Sequence, residues 1–336
     1  MQQLILPVLL ASFWTICTGL DWCYQSQFTC DNMCNSNTRQ GGETTYSDCV
    51  GNSQSPINIV TKNTLKDERL TPFIFTNYQE VFSDTITNIG YSVKVGVPTF
   101  STISGGGLPT TYKALQFLMH WGNSERPGSD HTIDGERYPM ELHIVHVKKD
   151  YDDLETALSD PEGVAVLGFL FETSKTANQW YDPIIGALPS ITAIDSEAPL
   201  ESISLAQLIP NETNLTSFYR YKGSLTTPGC NEAVIWTVFK TTIPLSMDQL
   251  TVFSEVLLED ETPMVGNFRP VQPLNDRKVF RSGGAVILVS SAPSPGRHRR
   301  LRTVRQHQLE QGILCCTATS MNTINSSLTP QLNPGL

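Results

Sequence analysis

Two short apolar runs carry the residues best able to do chemistry. In "ALQFLMHWG" (114–122) and "MELHIVHV" (140–147), alternate side chains share a face if both runs are β-strands. The first run then presents Gln116, Leu118 and His120 together, and the second presents Glu141, His143 and Val145. Phe117, Met119 and Trp121 take the opposite face, with Leu142, Ile144 and His146. As neighbours, the two runs put two imidazoles, an amide and a carboxylate on one surface beside two apolar side chains. That set suits a metal pocket with acceptors for the imidazole N–H groups. Spacing alone does not require a metal, since a strand histidine is commonly a satisfied core or surface residue. Leu118 stands out because a second ligand could sit there.

The elements that must position these residues are strands. "SPINIV", "YSVKVGV", "ALQFLMHW", "ELHIVHV", "GVAVLGFLFE" and "EAVIWTVFK" alternate with turn clusters such as "SGGGLP" and "ERPGSDHTIDGERYP". One helix is expected from Ser246, where "SMDQ" forms a capping box and Leu250, Phe253 and Leu257 fall on one face. The pattern predicts a mixed, mainly β fold: a large twisted, mostly antiparallel central sheet with a few peripheral helices.

With 39% apolar and 17% charged residues, the 336-residue chain can bury a core and is not disordered as a whole. Residues 1–20 contain no charged side chain and a Leu/Ile-rich run, and read as a signal peptide. Residues 21–285 are expected to form one domain, and 286–336 an atypical disordered tail. From Arg297 onward, five arginines against one glutamate give +4, which leaves −14 of the net −10 for everything before it. So acidic a body disfavours nucleic acid as a partner. Of the eight cysteines, none forms a CxxC pair, so disulfides in an oxidising compartment are the better account. The sequons at Asn211 and Asn214, in a polar loop, and at Asn325 are compatible with glycosylation.

The motifs around the two histidine runs resemble the α-carbonic anhydrases. "QSPINI" (54–59), "SGGGLP" (104–109), "QFLMHWG" (116–122) and "GSDHTIDGERYPMELHIVHV" (128–147) appear in the family's order. "GVAVLGFLFE" (163–172), "YRYKGSLTTPGCNEAVIWTVFK" (219–240) and "NFRPVQPLNDR" (267–277) continue it, so the resemblance covers about 21–285. "DWCY" (21–24) and "TTPGC" (226–230) look like the extracellular, membrane-linked type-IV-like branch. The resemblance implies the α-carbonic anhydrase fold, zinc as cofactor and reversible hydration of CO2 to bicarbonate. It also implies a Cys49–Cys230 disulfide, and a second from Cys23 to Cys30 or Cys34.

Carried over residue by residue, the zinc ligand positions are Leu118, His120 and His143, so the first ligand is missing. Gln116 and Glu141 match the family's acceptors for ligand N–H groups. Thr226 matches the gatekeeper that orients the attacking hydroxide, and Thr227 its neighbour. Val145, Val166, Leu225, Val234 and Trp236 match the apolar wall that holds CO2. Asp130 replaces the glutamate that pairs with the gatekeeper, one methylene short, and Tyr91 occupies the proton-shuttle histidine position. A tyrosine, with a pKa of about 10, is poorly matched to shuttling protons near neutrality. Gln116 and Asp130 are near enough to consider as substitute ligands, and Gln116 is expected instead to bond backbone or water. His131 and His146 are expected in structural or surface roles.

The resemblance therefore implies a secreted protein whose hydration activity is weak or lost. Its rival is a non-catalytic extracellular protein that keeps the fold to bind a protein partner. After Ser282, Gly283 and Gly284 the apolar run is too short, and "RHRRLRTVRQHQ" too charged, for the hydrophobic tail of a lipid anchor. A soluble secreted form is expected over a lipid-anchored one. "RHRR" resembles a convertase site, though a solvated basic run is the preferred reading.

Overall fold

A computed structural model describes residues 47–258 and 260–283. The expected signal peptide, Cys23, Cys30, Cys34, Asn325 and the tail from 286 lie outside the described residues. Among those residues the strands are, in order, β1 (Asn58–Ile59), β2 (Leu65–Lys66), β3 (Phe73–Thr76), β4 (Phe82–Asn88) and β5 (Val93–Gly96). They continue as β6 (Thr102–Gly105), β7 (Tyr112–Trp121), β8 (Thr132–Ile133), β9 (Glu136–Arg137) and β10 (Met140–Lys148). The last are β11 (Val164–Ser174), β12 (Glu197–Ile203), β13 (Phe218–Gly223), β14 (Val234–Ser246) and β15 (Phe280–Arg281).

Twelve strands form one sheet in the order β12-β4-β5-β7-β10-β11-β14-β13-β15-β2, with β6 also paired to β7 and β3 to β6. All its pairings are antiparallel except β11 with β14 and β15 with β2. The mainly β, mostly antiparallel architecture is the one the sequence predicts, and the α-helices are short and peripheral. β12 carries no signal in the sequence reading: "EAPLESI" contains Pro199, which suits only an edge strand, and β12 is the edge.

The helix Met247–Phe253 starts at the expected capping box, with Ser246 and Gln249 bonded reciprocally. It is one turn shorter than the periodicity suggests. Leu257 lies beyond its end, bridged to Pro263, while Leu250 and Phe253 are buried.

Alternation along the central strands separates two apolar clusters. Phe117, Met119, Trp121, Leu142, Ile144 and Phe169 join the larger one behind the sheet. Val145, Val166, Val234, Trp236 and Tyr221 join the smaller one on the other face, against which Leu118 and Leu225 pack.

Cys49 and Cys230 are bonded, closing a sequence separation of 181 residues. The bond ties the start of the described chain to the turn after Thr227, where Cys230 N–H donates to the Thr227 carbonyl at 3.1 Å. Closing so long a loop restricts the unfolded chain by a free energy on the order of 4 to 5 kcal/mol. Cys230→Ser, paired with Cys49→Ser, is expected to lower the unfolding free energy by up to about that amount. Urea denaturation of the oxidised protein beside the double variant measures it.

Candidate functional site

The register of β7 against β10 sets the site. Leu118 lies opposite His143, His120 opposite Glu141, and Gln116 opposite Val145, so all six share one face. On β11 the same face offers Val166 and Gly168, which lie opposite Val145 and His143. Trp236 of β14 pairs with Val166, and Tyr221 of β13 pairs with Trp236. Val145, Val166, Val234 and Trp236 are buried, while Leu225, Thr227 and Leu118 are half-buried.

Glu141 is fully buried and accepts three hydrogen bonds. Oε1 takes His131 Nδ1–H and His143 Nε2–H, each at 2.8 Å, and Oε2 takes the His131 backbone N–H at 2.8 Å. Burial alone raises a carboxyl, but the two imidazoles and their hydrogen bonds outweigh it and hold Glu141 well below the usual carboxylate range. Gly168 makes the room, since a Cβ there would stand 2.9 Å from Glu141 Oε1. His131 Nε2 faces the Tyr221 hydroxyl at 2.7 Å, and Trp236 packs edge-on against both His131 and His143 at 4.8 Å between ring centroids.

These partners fix the tautomers. His143 gives its Nε2–H to Glu141 and His120 gives its Nδ1–H to the Asn267 carbonyl at 2.7 Å. In the neutral rings, His143 Nδ1 and His120 Nε2 then carry lone pairs, and they lie 3.0 Å apart. Burial pushes the His120 imidazole below its ordinary value, against the opposing pull of Asp130. One ligand atom each from His120, Asp130 and His143 lies within 4.8 Å of the others. These two nitrogens and the Asp130 carboxylate could hold a metal ion, whereas Leu118, opposite His143, contributes no lone pair.

Several expected roles meet a different geometry. Asp130 is not hydrogen-bonded to Thr226: Oδ1 accepts from the Arg269 backbone N–H at 2.9 Å, and Oδ2 is buried without a hydrogen-bond partner among the described residues. Gln116 is half-buried and bonds neither imidazole among the described residues, because no ring stands at Leu118 for it to orient. Burial pushes the Tyr91 phenol above its ordinary value of 10, further from a shuttle's range. Asn211 and Asn214 are exposed. His131 and His146 are both fully buried, which removes the surface option for each.

Sequence reasoning gave no role to Asn267. Its carbonyl orients His120, its Oδ1 accepts from the Trp121 N–H at 2.7 Å, and its Nδ2 donates to the Tyr91 carbonyl at 3.1 Å. The backbone bond to His120 leaves no trace in residue type. Arg269 had a signal, its place in "NFRPVQPLNDR", and it is buried with bonds to Gln54 Oε1 and the Ser55 carbonyl at 2.8 Å.

Two imidazoles and a buried carboxylate, set on neighbouring strands beside an apolar cluster, define a large-sheet protein with a buried histidine-rich site. The profile of the eukaryotic-type carbonic anhydrases matches residues 37–283. Carbonic anhydrase 4 of Rattus norvegicus is 37% identical over 293 residues, covering 86% of this chain and 94% of that protein. Carbonic anhydrase 4 of Oryctolagus cuniculus is 39% identical, covering 79% of this chain and 85% of that protein. Carbonic anhydrase 12 of Homo sapiens is 38% identical, covering 74% of this chain and 71% of that protein. The chain belongs to the eukaryotic-type carbonic anhydrase family.

His146, on the opposite face, has both nitrogens occupied in the neutral form: Nδ1–H donates to the Ala165 carbonyl at 3.2 Å and Nε2 accepts from the Tyr78 hydroxyl at 2.6 Å. Burial holds its pKa at about 4, against an ordinary 6.5. A depressed imidazole pKa leaves its stabilising contribution whole above pH 6.5, and that contribution is lost as the pH falls toward 4. The loss is expected to reach about 3 kcal/mol. Urea unfolding between pH 7 and pH 4 measures it, and His146→Gln is expected to flatten that part of the profile.

Proposed function

We propose that this chain is an extracellular carbonic-anhydrase-type protein whose zinc-dependent hydration of CO2 to bicarbonate and a proton is strongly reduced. The observation that carries the reading is the 3.0 Å approach of His120 Nε2 and His143 Nδ1 beside Leu118, where a third nitrogen donor would complete the set. His120 and His143 would hold the ion. Zinc in such a site supplies a Lewis acid that makes water available as a nucleophile near neutral pH, chemistry for which carbonic anhydrases are themselves the reference case.

The remaining roles belong to the chain's own side chains. Val145, Val166, Val234, Trp236 and Leu225 form a wall that favours a small apolar gas over water. Thr226, with Thr227 beside it, orients the attacking oxygen through its hydroxyl. That orientation is loose here, because Asp130 does not accept the Thr226 proton. Proton export through Tyr91 is slow, since its phenol is raised above a pKa of 10 and rarely ionises. The exposed sequons at Asn211 and Asn214 and the Cys49–Cys230 bond support an oxidising, extracellular setting.

Losses at the ligand, the gatekeeper's partner and the shuttle, on an otherwise intact scaffold, also favour a second reading: a non-catalytic binding protein on the same fold. Leu118→His is expected to bind zinc more tightly than wild type and to raise kcat/KM for CO2 hydration at least ~100-fold, on the scale of a restored metal ligand. Metal analysis and stopped-flow hydration assays on wild type and variant check this. A wild type already as fast as the variant would sink the reduced-activity reading. A wild type with no measurable turnover beside an active variant would put the binding role first.

A further inference from the structure

Asp130 is wholly buried, yet only one of its two carboxylate oxygens is satisfied. Oδ1 is pinned by the Arg269 backbone N–H at 2.9 Å, and the Asp130 carbonyl accepts from Arg137 Nη1 at 3.2 Å, so the residue is held from two sides. Oδ2 has no hydrogen-bond partner among the described residues, although leaving a buried carboxylate oxygen unpaired is costly. It lies 3.5 Å from His120 Nε2 without forming a hydrogen bond to it.

That oxygen completes a group with the two imidazoles. His120 Nε2 has His143 Nδ1 at 3.0 Å and Asp130 Oδ2 at 3.5 Å, and the tautomers fixed by Asn267 and Glu141 turn both ring lone pairs inward. Donors about 2.0 to 2.1 Å from a tetrahedral zinc stand about 3.3 Å apart, a value between these two separations. Three electron-pair donors facing one another repel unless a cation lies among them. Two histidines and one carboxylate also form a recognised catalytic zinc set, whereas an amide oxygen such as that of Gln116 is outside the usual zinc donors.

We propose that Asp130 is the third protein ligand of this site, so that a His120–His143–Asp130 set takes the place of three histidines. The inference rests on the carbonic-anhydrase reading of the same site. It gives the missing methylene a consequence: the shortened carboxylate is released from Thr226 and turned to the metal. An anionic oxygen donor in place of a neutral nitrogen also neutralises part of the ion's charge, which makes the loaded site a weaker Lewis acid than its three-histidine relatives.

Zinc competition against a chromophoric chelator, with the purified full-length chain, tests the assignment. Wild type is expected to bind one zinc per chain, Asp130→Asn to bind it at least ~100-fold more weakly, and His120→Ala to lose it. Asn keeps the Oδ1 acceptor for Arg269, and thermal melts without metal report whether the variant still folds. In a Leu118→His background the Asp130→Asn effect is expected to shrink to about 3-fold or less, because the restored imidazole replaces the carboxylate. X-ray absorption of the zinc-loaded wild type, which needs no variant, is expected to show two imidazoles and an oxygen shell.

Asp130→Asn binding zinc like wild type while His120→Ala does not, or an absorption spectrum with three imidazoles, overturns the Asp130 assignment and leaves the site reading standing. A wild type that binds no zinc beside a Leu118→His variant that does has the same meaning. No binding by either protein overturns the metal-dependent reading itself.

Discussion

The buried Glu141 carboxylate is the constraint on which the site depends. A charge removed from water must be met on every side, and here three N–H groups from two residues meet it. The same bonds dictate which nitrogen of His143 carries its proton, and so which one faces His120. The scaffold adapts around this group: Gly168 has no Cβ to crowd it, and Tyr221 and Trp236 close the far side of His131 and His143. The geometry available for a metal is in this sense a by-product of burying one carboxylate.

Fold and chemistry are separable in this chain. Leu118 sits in a regular antiparallel ladder opposite His143 and packs against the apolar cluster below, so exchanging an imidazole for an isobutyl group leaves the register undisturbed.

Much of this was legible in the sequence, for reasons that can be named. Period-two alternation in 114–121 and 141–147 placed Leu118, His120, Glu141 and His143 on one face, and the register confirms that placement. Capping chemistry located the start of the Met247–Phe253 helix at Ser246, but not its end, because Leu257 keeps the helical spacing after the backbone has left the helix. The edge strand β12 was hidden by Pro199. What escaped the reading was direction at the level of single atoms. No residue pattern reveals that the Asn267 carbonyl holds His120, or that Asp130 turns one oxygen to Arg269 instead of reaching Thr226. Those outcomes depend on loops brought together from positions more than a hundred residues apart.

The Cys49–Cys230 bond has a topological consequence. Every strand from β1 to β13 lies between its two half-cystines, so most of the sheet belongs to a single covalent ring, with β14 and β15 outside it. A protease that nicks any surface turn within the ring opens it without releasing a fragment. The severed pieces stay tethered, at an effective concentration far above that of separate chains, and can re-form the sheet. When a protease meets the chain, one bond thus turns a first cut from a dismemberment into a scar.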